Sequence, residues 1–244
     1  MIPDPVGVTT LLEEVWRTRP LPGAPVVLGT GVFAAAAVLW ARSWTLVRLG
    51  ITTVHEAGHA AVALLVGRRL HGVRVHQDTS GLTLSSGRAR GPGLVAVYAA
   101  GHLAPGVLGL LAVAALAAGR PVALLAGGVV VAALLLVWVR NLYGLLVVTV
   151  IGAALALLAW RAPDDVRTAA AYLVAWLLLL GAPRPVVELL AAGRRRPRGS
   201  DVDRLADLTG VPAVLWALVL LAATHAGAVL GATTLAPDLL AAAV

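Results

Sequence analysis

This sequence predicts an all-α polytopic membrane protein, with about seven membrane helices and a small β-hairpin at the membrane surface after the second of them. Three observations predict it. Of 244 residues, 59% are hydrophobic and 13% charged, and mean hydropathy is +0.90, whereas soluble domains run near half apolar and about a quarter charged. Most of the chain falls into apolar runs close to the roughly 20 helical residues that cross a hydrocarbon core. Two longer polar segments, 68–90 and 183–210, break the series.

The layout is one domain over 1–244: two helices within 25–67, a polar hairpin at 68–90, helices across 91–182, a cytoplasmic Arg-rich loop at 183–210 and a last helix at 211–232. Residues 1–25 do not read as a secretory signal, because a basic leading region is missing and Glu13 and Glu14 stand where an apolar stretch is required. The first helices span 26–43 and 45–66, the second ending at Gly67, a residue suited to a C-cap. In 71–86, Val73, Val75, Leu82 and Leu84 alternate around a polar turn at 78–81, the pattern of a hairpin. Helix resumes at 93–119, where Gly101 and Pro105 bracket His102 and predict a kink. Further helices are expected at 121–139, 142–160 and 166–182, then a short one at 202–208.

All 19 basic residues are arginine, giving a net charge of +7. In a soluble protein such charge suggests a nucleic-acid partner; here it reports topology, and no nucleic-acid partner is expected. With the N-terminus placed inside, 14 arginines fall inside and 5 outside. That bias predicts a cytoplasmic N-terminus, hairpin and Arg-rich loop. Cysteine is absent, so any metal must be held by imidazole and carboxylate.

One motif carries chemistry. HEAGH at 55–59 fits H-E-x-x-H, in which His55 and His59, four residues apart, share a helical face and can reach one metal ion. Glu56 stands beside the first ligand, placed to take a proton from a metal-activated water and deliver it to a leaving amine. Zinc suits neutral imidazoles and lowers the pKa of bound water to about 7. With six His and four Glu in the chain, chance supplies the pattern only roughly 0.002 times. Glu56 is also the only Glu within a long apolar helix, where an acidic side chain costs about 2.5 kcal/mol or more and needs compensation. Gly58, between the ligands, leaves room for a neighbouring helix or a substrate strand.

The run VHEAGHAAVALLVGRRL, the polar hairpin, RNLYG at 140–144 and GSDVDRLADLTGVP before the last helix occur in that order. They resemble the site-2 protease family of intramembrane zinc metalloproteases, in its small prokaryotic branch without a PDZ domain, over about residues 45 to 220. The resemblance implies hydrolysis of peptide bonds in membrane protein or peptide substrates within or near the lipid bilayer of a multi-pass cell-membrane enzyme. A bacterial plasma membrane is expected. It further implies Zn2+ held by His55, His59 and a later carboxylate, with Glu56 as general base. The larger family places that carboxylate in an LDG segment, which this chain lacks. The resemblance to the small branch falls instead on Asp201, with Asp203 the competitor; both also fit as N-terminal caps of the 202–208 helix.

Asn141, at a break between helices, can bind an extended substrate backbone or stabilise an oxyanion, with helix capping the simpler account. His102 and His225 are intramembrane and therefore candidate ligands, though a hydrogen bond to a helix carbonyl serves either equally well. His71 and His76 read as solvated. Two non-proteolytic readings compete with the enzyme: a metal-binding scaffold or transporter, and an inactive site-2-protease-like protein that holds metal or transmembrane segments without cleavage. Transporters spread ionisable groups over several helices, whereas here they gather on one.

Overall fold

A computed structural model describes residues 13–193 and 199–237. Residues 1–12 of the opening segment and the arginines at 194, 195, 196 and 198 lie outside the described residues. Among those described are nine α-helices and one antiparallel sheet of two strands. In chain order they are α1 (Ala24–Leu39), α2 (Ala41–Leu65), β1 (Arg69–Val75), β2 (Gly81–Ser86), α3 (Pro92–Ala117), α4 (Pro121–Leu136), α5 (Leu142–Arg161), α6 (Asp164–Gly181), α7 (Arg184–Ala192), α8 (Asp201–Thr209) and α9 (Ala213–Leu235).

Four helical segments are long and apolar enough to cross a membrane, or five when the bent pair α1–α2 counts as one span. The sequence suggested about seven crossings, and the difference lies partly at the start. The 16 residues of α1 rise only about 24 Å, short of the roughly 30 Å of hydrocarbon. The chain turns by 100° between α1 and α2 at Trp40, which is extended. Ser43 satisfies carbonyls freed by that turn, its hydroxyl donating to Ala37 and Trp40. Helix α4 is apolar but only 16 residues long.

The broken entrance bears on which polar segments lie together. The backbone amide of Arg19 donates to the Gly119 carbonyl, in the α3–α4 turn, at 2.7 Å. Its guanidinium meets Asp164 at the start of α6. The hairpin instead meets the α4–α5 connection, where the Val73 amide donates to Trp138 and the Arg140 amide to Val73. Helix α3 starts beside the hairpin and ends beside Gly119, so the N-terminal segment and the hairpin occupy opposite ends of the bundle. If α1 and α2 together count as one span, these two ends face opposite sides.

Helix α2 stops as expected at Gly67, whose φ of +73° suits glycine. The amides of Gly67 and Arg68 then bond back to Leu64 and Ala63, closing the helix end in a Schellman pattern. Pro105 lies inside α3 and supplies no N–H for the carbonyl four residues back, that of Gly101.

Among the described residues four apolar clusters hold the frame, one of them formed by Val38, Trp44 and Ile51 at the α1–α2 bend. Val27, Leu116, Leu125, Trp176 and Leu179 join α1, α3, α4 and α6. Leu70 and Val73 of β1 pack on Ala132, Leu135 and Val148. Within 183–210, read from sequence as a loop carrying one short helix at 202–208, two helices, α7 and α8, fold onto α9 through Val186, Val202, Leu205, Ala217 and Leu220.

Candidate metal centre

The HEAGH turn lies in α2, facing α3 on one side and the hairpin on the other. Its spacing does what the sequence led us to expect: the Nε2 atoms of His55 and His59 stand 3.0 Å apart. Asp201, the first residue of α8, brings Oδ2 to 3.0 Å from His55 Nε2 and 3.2 Å from His59 Nε2. Val202 and Leu205, both fully buried against α9 and α7, fix the helix start that presents it.

Asp203 is used differently. Its Oδ2 accepts from the Ser200 hydroxyl at 2.8 Å and from the amides of Gly199 and Ser200, completing a capping box at the start of α8. The two acids are thus separated by their work: one holds the helix end, the other faces the histidines.

Around the three atoms a supporting shell is in place. His59 Nδ1 lies 2.7 Å from the Val97 carbonyl, which can only accept, so Nδ1 carries a proton and Nε2 faces His55 and Asp201. Gly101 makes this possible, because a Cβ there would stand 2.4 Å from His59 Nε2. At Gly58 a Cβ would stand 2.4 Å from that of Ala104; the expected close neighbour is therefore α3. Glu56 is 3% exposed, and its Oε2 accepts from the Thr83 hydroxyl of β2 at 2.5 Å.

Burial alone would push the Asp201 carboxyl up, but hydrogen bonds with His55 and His59 hold it well below the usual carboxylate range. An anionic oxygen and two ring nitrogens thus converge. Zinc bonds of about 2.0–2.1 Å to nitrogen and oxygen put tetrahedral ligands roughly 3.3 Å apart, close to the 3.0–3.2 Å separations here. The donor set fits that ion; His55, Glu56 and His59 form a metal-capable group, and so do His55, His102 and Asp201.

The centre opens into a cleft of about 800 Å³, bounded by α2, β2, α3, α7 and α8 and lined in part by Thr83, Tyr98, His102, Glu188 and Arg204. Among the described residues strand β2 pairs with β1 alone, while the other side of β1 bridges to Val139, which leaves the β2 edge beside the cleft without a strand partner among them.

The remaining candidates divide. Asn141 is the N-cap residue of α5 but makes no capping bond with its side chain. Its amide instead grips Val75, Nδ2 donating to the carbonyl at 2.7 Å and Oδ1 accepting from the amide at 3.3 Å, outside the cleft lining. His102 lies at the centre, with Nε2 3.6 Å from Asp201 Oδ2. His225 is exposed, with Nδ1 bonded to the Leu221 carbonyl. His71 and His76 pair with Ser86 and Ser80 in the hairpin. Sequence reasoning missed the parts played by Thr83 and Gly101; the latter's only signal was its position before His102, read as a kink.

No curated protein and no solved structure matches the chain. Residues 28–232, most of its length, match the family profile described as Peptidase M50B-like, and the chain therefore belongs to that family, which is of the site-2 protease type.

Proposed function

We propose that the chain is an intramembrane zinc metalloendopeptidase that hydrolyses peptide bonds of membrane-associated substrates. The observation that carries this reading is the convergence of His55, His59 and Asp201 within 3.2 Å of one another, beside a buried Glu56. His55, His59 and Asp201 hold the ion, which when bound supplies a Lewis acid that activates water at neutral pH.

Glu56 takes a proton from the attacking water as the water oxygen bonds to the scissile carbonyl carbon. It returns that proton to the amide nitrogen as the C–N bond breaks. Thr83 holds one carboxylate oxygen, and the other packs against Gly81, which has no side chain to displace it. Because a helical substrate hides its carbonyls in internal hydrogen bonds, cleavage requires an extended segment. The free edge of β2 receives it by strand addition, with backbone groups pairing to backbone groups. Asn141 contributes to substrate binding through the hairpin, by fixing β1 and hence the β2 edge. The arginine-rich hairpin end faces the cytoplasm of a bacterial plasma membrane.

The direct test uses purified protein in lipid vesicles, zinc quantification and single-span fusion substrates. Glu56→Gln should retain one zinc per chain and lose about 10²–10⁴-fold in kcat, the range of general acid–base catalysis. Cleavage at the wild-type rate by this variant would remove Glu56 from the mechanism. A wild-type protein that holds zinc and binds these substrates but never cuts them would favour the inactive, substrate-binding reading instead.

A further inference from the structure

His102 is buried, 8% exposed, yet it lines the cleft and makes no hydrogen bond among the described residues. Its ring stands 4.8 Å from that of His55, nearly perpendicular to it. Its Nε2 is 3.6 Å from Asp201 Oδ2, too far for a hydrogen bond. The ring lines the cleft, so a group that enters the cleft can meet its nitrogens.

Two partners are chemically available, an ion and a substrate. With His55, His59 and Asp201 as the proposed ligands, the fourth position of a catalytic zinc site stays open; a further imidazole ligand would close it. His55, His102 and Asp201 also stand close enough to share an ion, and zinc content separates the two roles. We propose that His102 is a second catalytic residue: its Nε2–H donates a hydrogen bond to the scissile carbonyl oxygen as that oxygen gains negative charge. This rests on the peptidase reading above.

The step balances without proton transfer from His102. Water oxygen bonds to the carbonyl carbon, the carbonyl π pair moves onto oxygen, and Glu56 receives the water proton. When the C–N bond breaks, the pair returns to the carbonyl and the amine leaves with the proton from Glu56. Throughout, His102 keeps its proton and stabilises the oxyanion. A donor of this kind gains most where charge develops in a water-poor site, and α3 holds this one rigidly, between the glycine that admits the metal-facing imidazoles and the proline at 105.

The test compares wild type with His102→Ala, His102→Phe, which keeps a ring but no donor, and His102→Gln, which restores an N–H. Zinc content, turnover and calorimetric binding of a phosphinic peptide, a tetrahedral mimic, are measured on the zinc-loaded protein in vesicles. Ala and Phe should keep one zinc per chain, lose about 10²–10³-fold in kcat with KM little changed, and bind the phosphinate more weakly in similar proportion. Gln should recover part of both. Loss of zinc in Ala and Phe, as in Asp201→Ala, would make His102 a ligand and overturn the proposal. Unchanged phosphinate affinity would reduce it to packing. The phosphinate arm needs no turnover, so it decides His102 even if Glu56→Gln or the wild type shows that the peptidase reading is wrong.

Discussion

At position 101 any side chain would collide with two imidazoles. The Cβ of an alanine there would stand 2.4 Å from His59 Nε2 and 2.7 Å from His55 Cε1, both rings being held by a helix turn that cannot move freely. Gly101→Ala is therefore expected to push His59 off the Val97 carbonyl and lower zinc affinity by at least about tenfold, the low end of what disturbing such supporting bonds does. Competition with a zinc chelator reads the affinity, and circular dichroism checks that helix content is unchanged; wild-type affinity would mean the rings have room to yield. The two histidines and Glu56 were legible in the sequence because one helical turn fixes their relation without any knowledge of the rest of the fold. Asp201 and Asp203 were not separable that way. Two acids in one helix start are equivalent until the capping bonds of Ser200 and Gly199 commit one of them. His102 had no periodic partner to mark it, and its meaning comes only from α3 lying against α2.

The hairpin shows the same division between pattern and environment. Alternation located both strands, yet it could not say which face meets protein, because beside a bilayer an apolar face can point outward. Leu82 and Leu84 are exposed, and Thr83 between them reaches Glu56. What anchors the hairpin is the two-point grip of Asn141 on Val75, which propensity rules had no means to foresee at a residue that also suits a helix cap. Replacing Asn141 by alanine leaves the Val75 amide and carbonyl without those partners, a loss of about 1–3 kcal/mol for buried groups. Hydrogen exchange in β1 should accelerate correspondingly. With a substrate strand in place on β2, KM should rise more than kcat falls, while zinc content stays at one per chain. Slow, wild-type exchange at Val75 in the variant would show that the bridge to Val139 holds the strand by itself. In the segment at 183–210 the helix at 202–208 was legible from its acidic start, and α8 stands there; α7 was not, because it depends on Val186 finding an apolar seat on α9 beside Val202 and Leu205, a tertiary effect.

Hydropathy counted 26–43 and 45–66 as two crossings because both halves are apolar, and a 100° turn leaves no trace in such a window. The consequence reaches the whole molecule. Glu14, Arg19, Asp164 and Arg167 form one ion-paired cluster, with Arg167 at 2.7 Å from Glu14 and 3.1 Å from Asp164, which ties the N-terminal segment to the α6 start. The hairpin, the α4–α5 connection and the cleft lie at the other end. Arg68, Arg69, Arg74, Arg88, Arg90, Arg140, Arg184 and Arg204 are at that second end, against Arg17, Arg19, Arg120, Arg161 and Arg167 at the first, and this bias supports the proposal that the cleft faces the cytoplasm. The chain has no cysteine, which makes single-cysteine labelling unambiguous. Arg17→Cys replaces an exposed residue near the ion-paired cluster, and Arg88→Cys one just beyond β2. In intact cells a membrane-impermeant maleimide should label the first and leave the second untouched until the membrane is permeabilised. Labelling of both in intact cells would put the two ends on one side and restore two separate crossings for α1 and α2. Labelling of Arg88→Cys alone would invert the molecule and open the cleft to the outside.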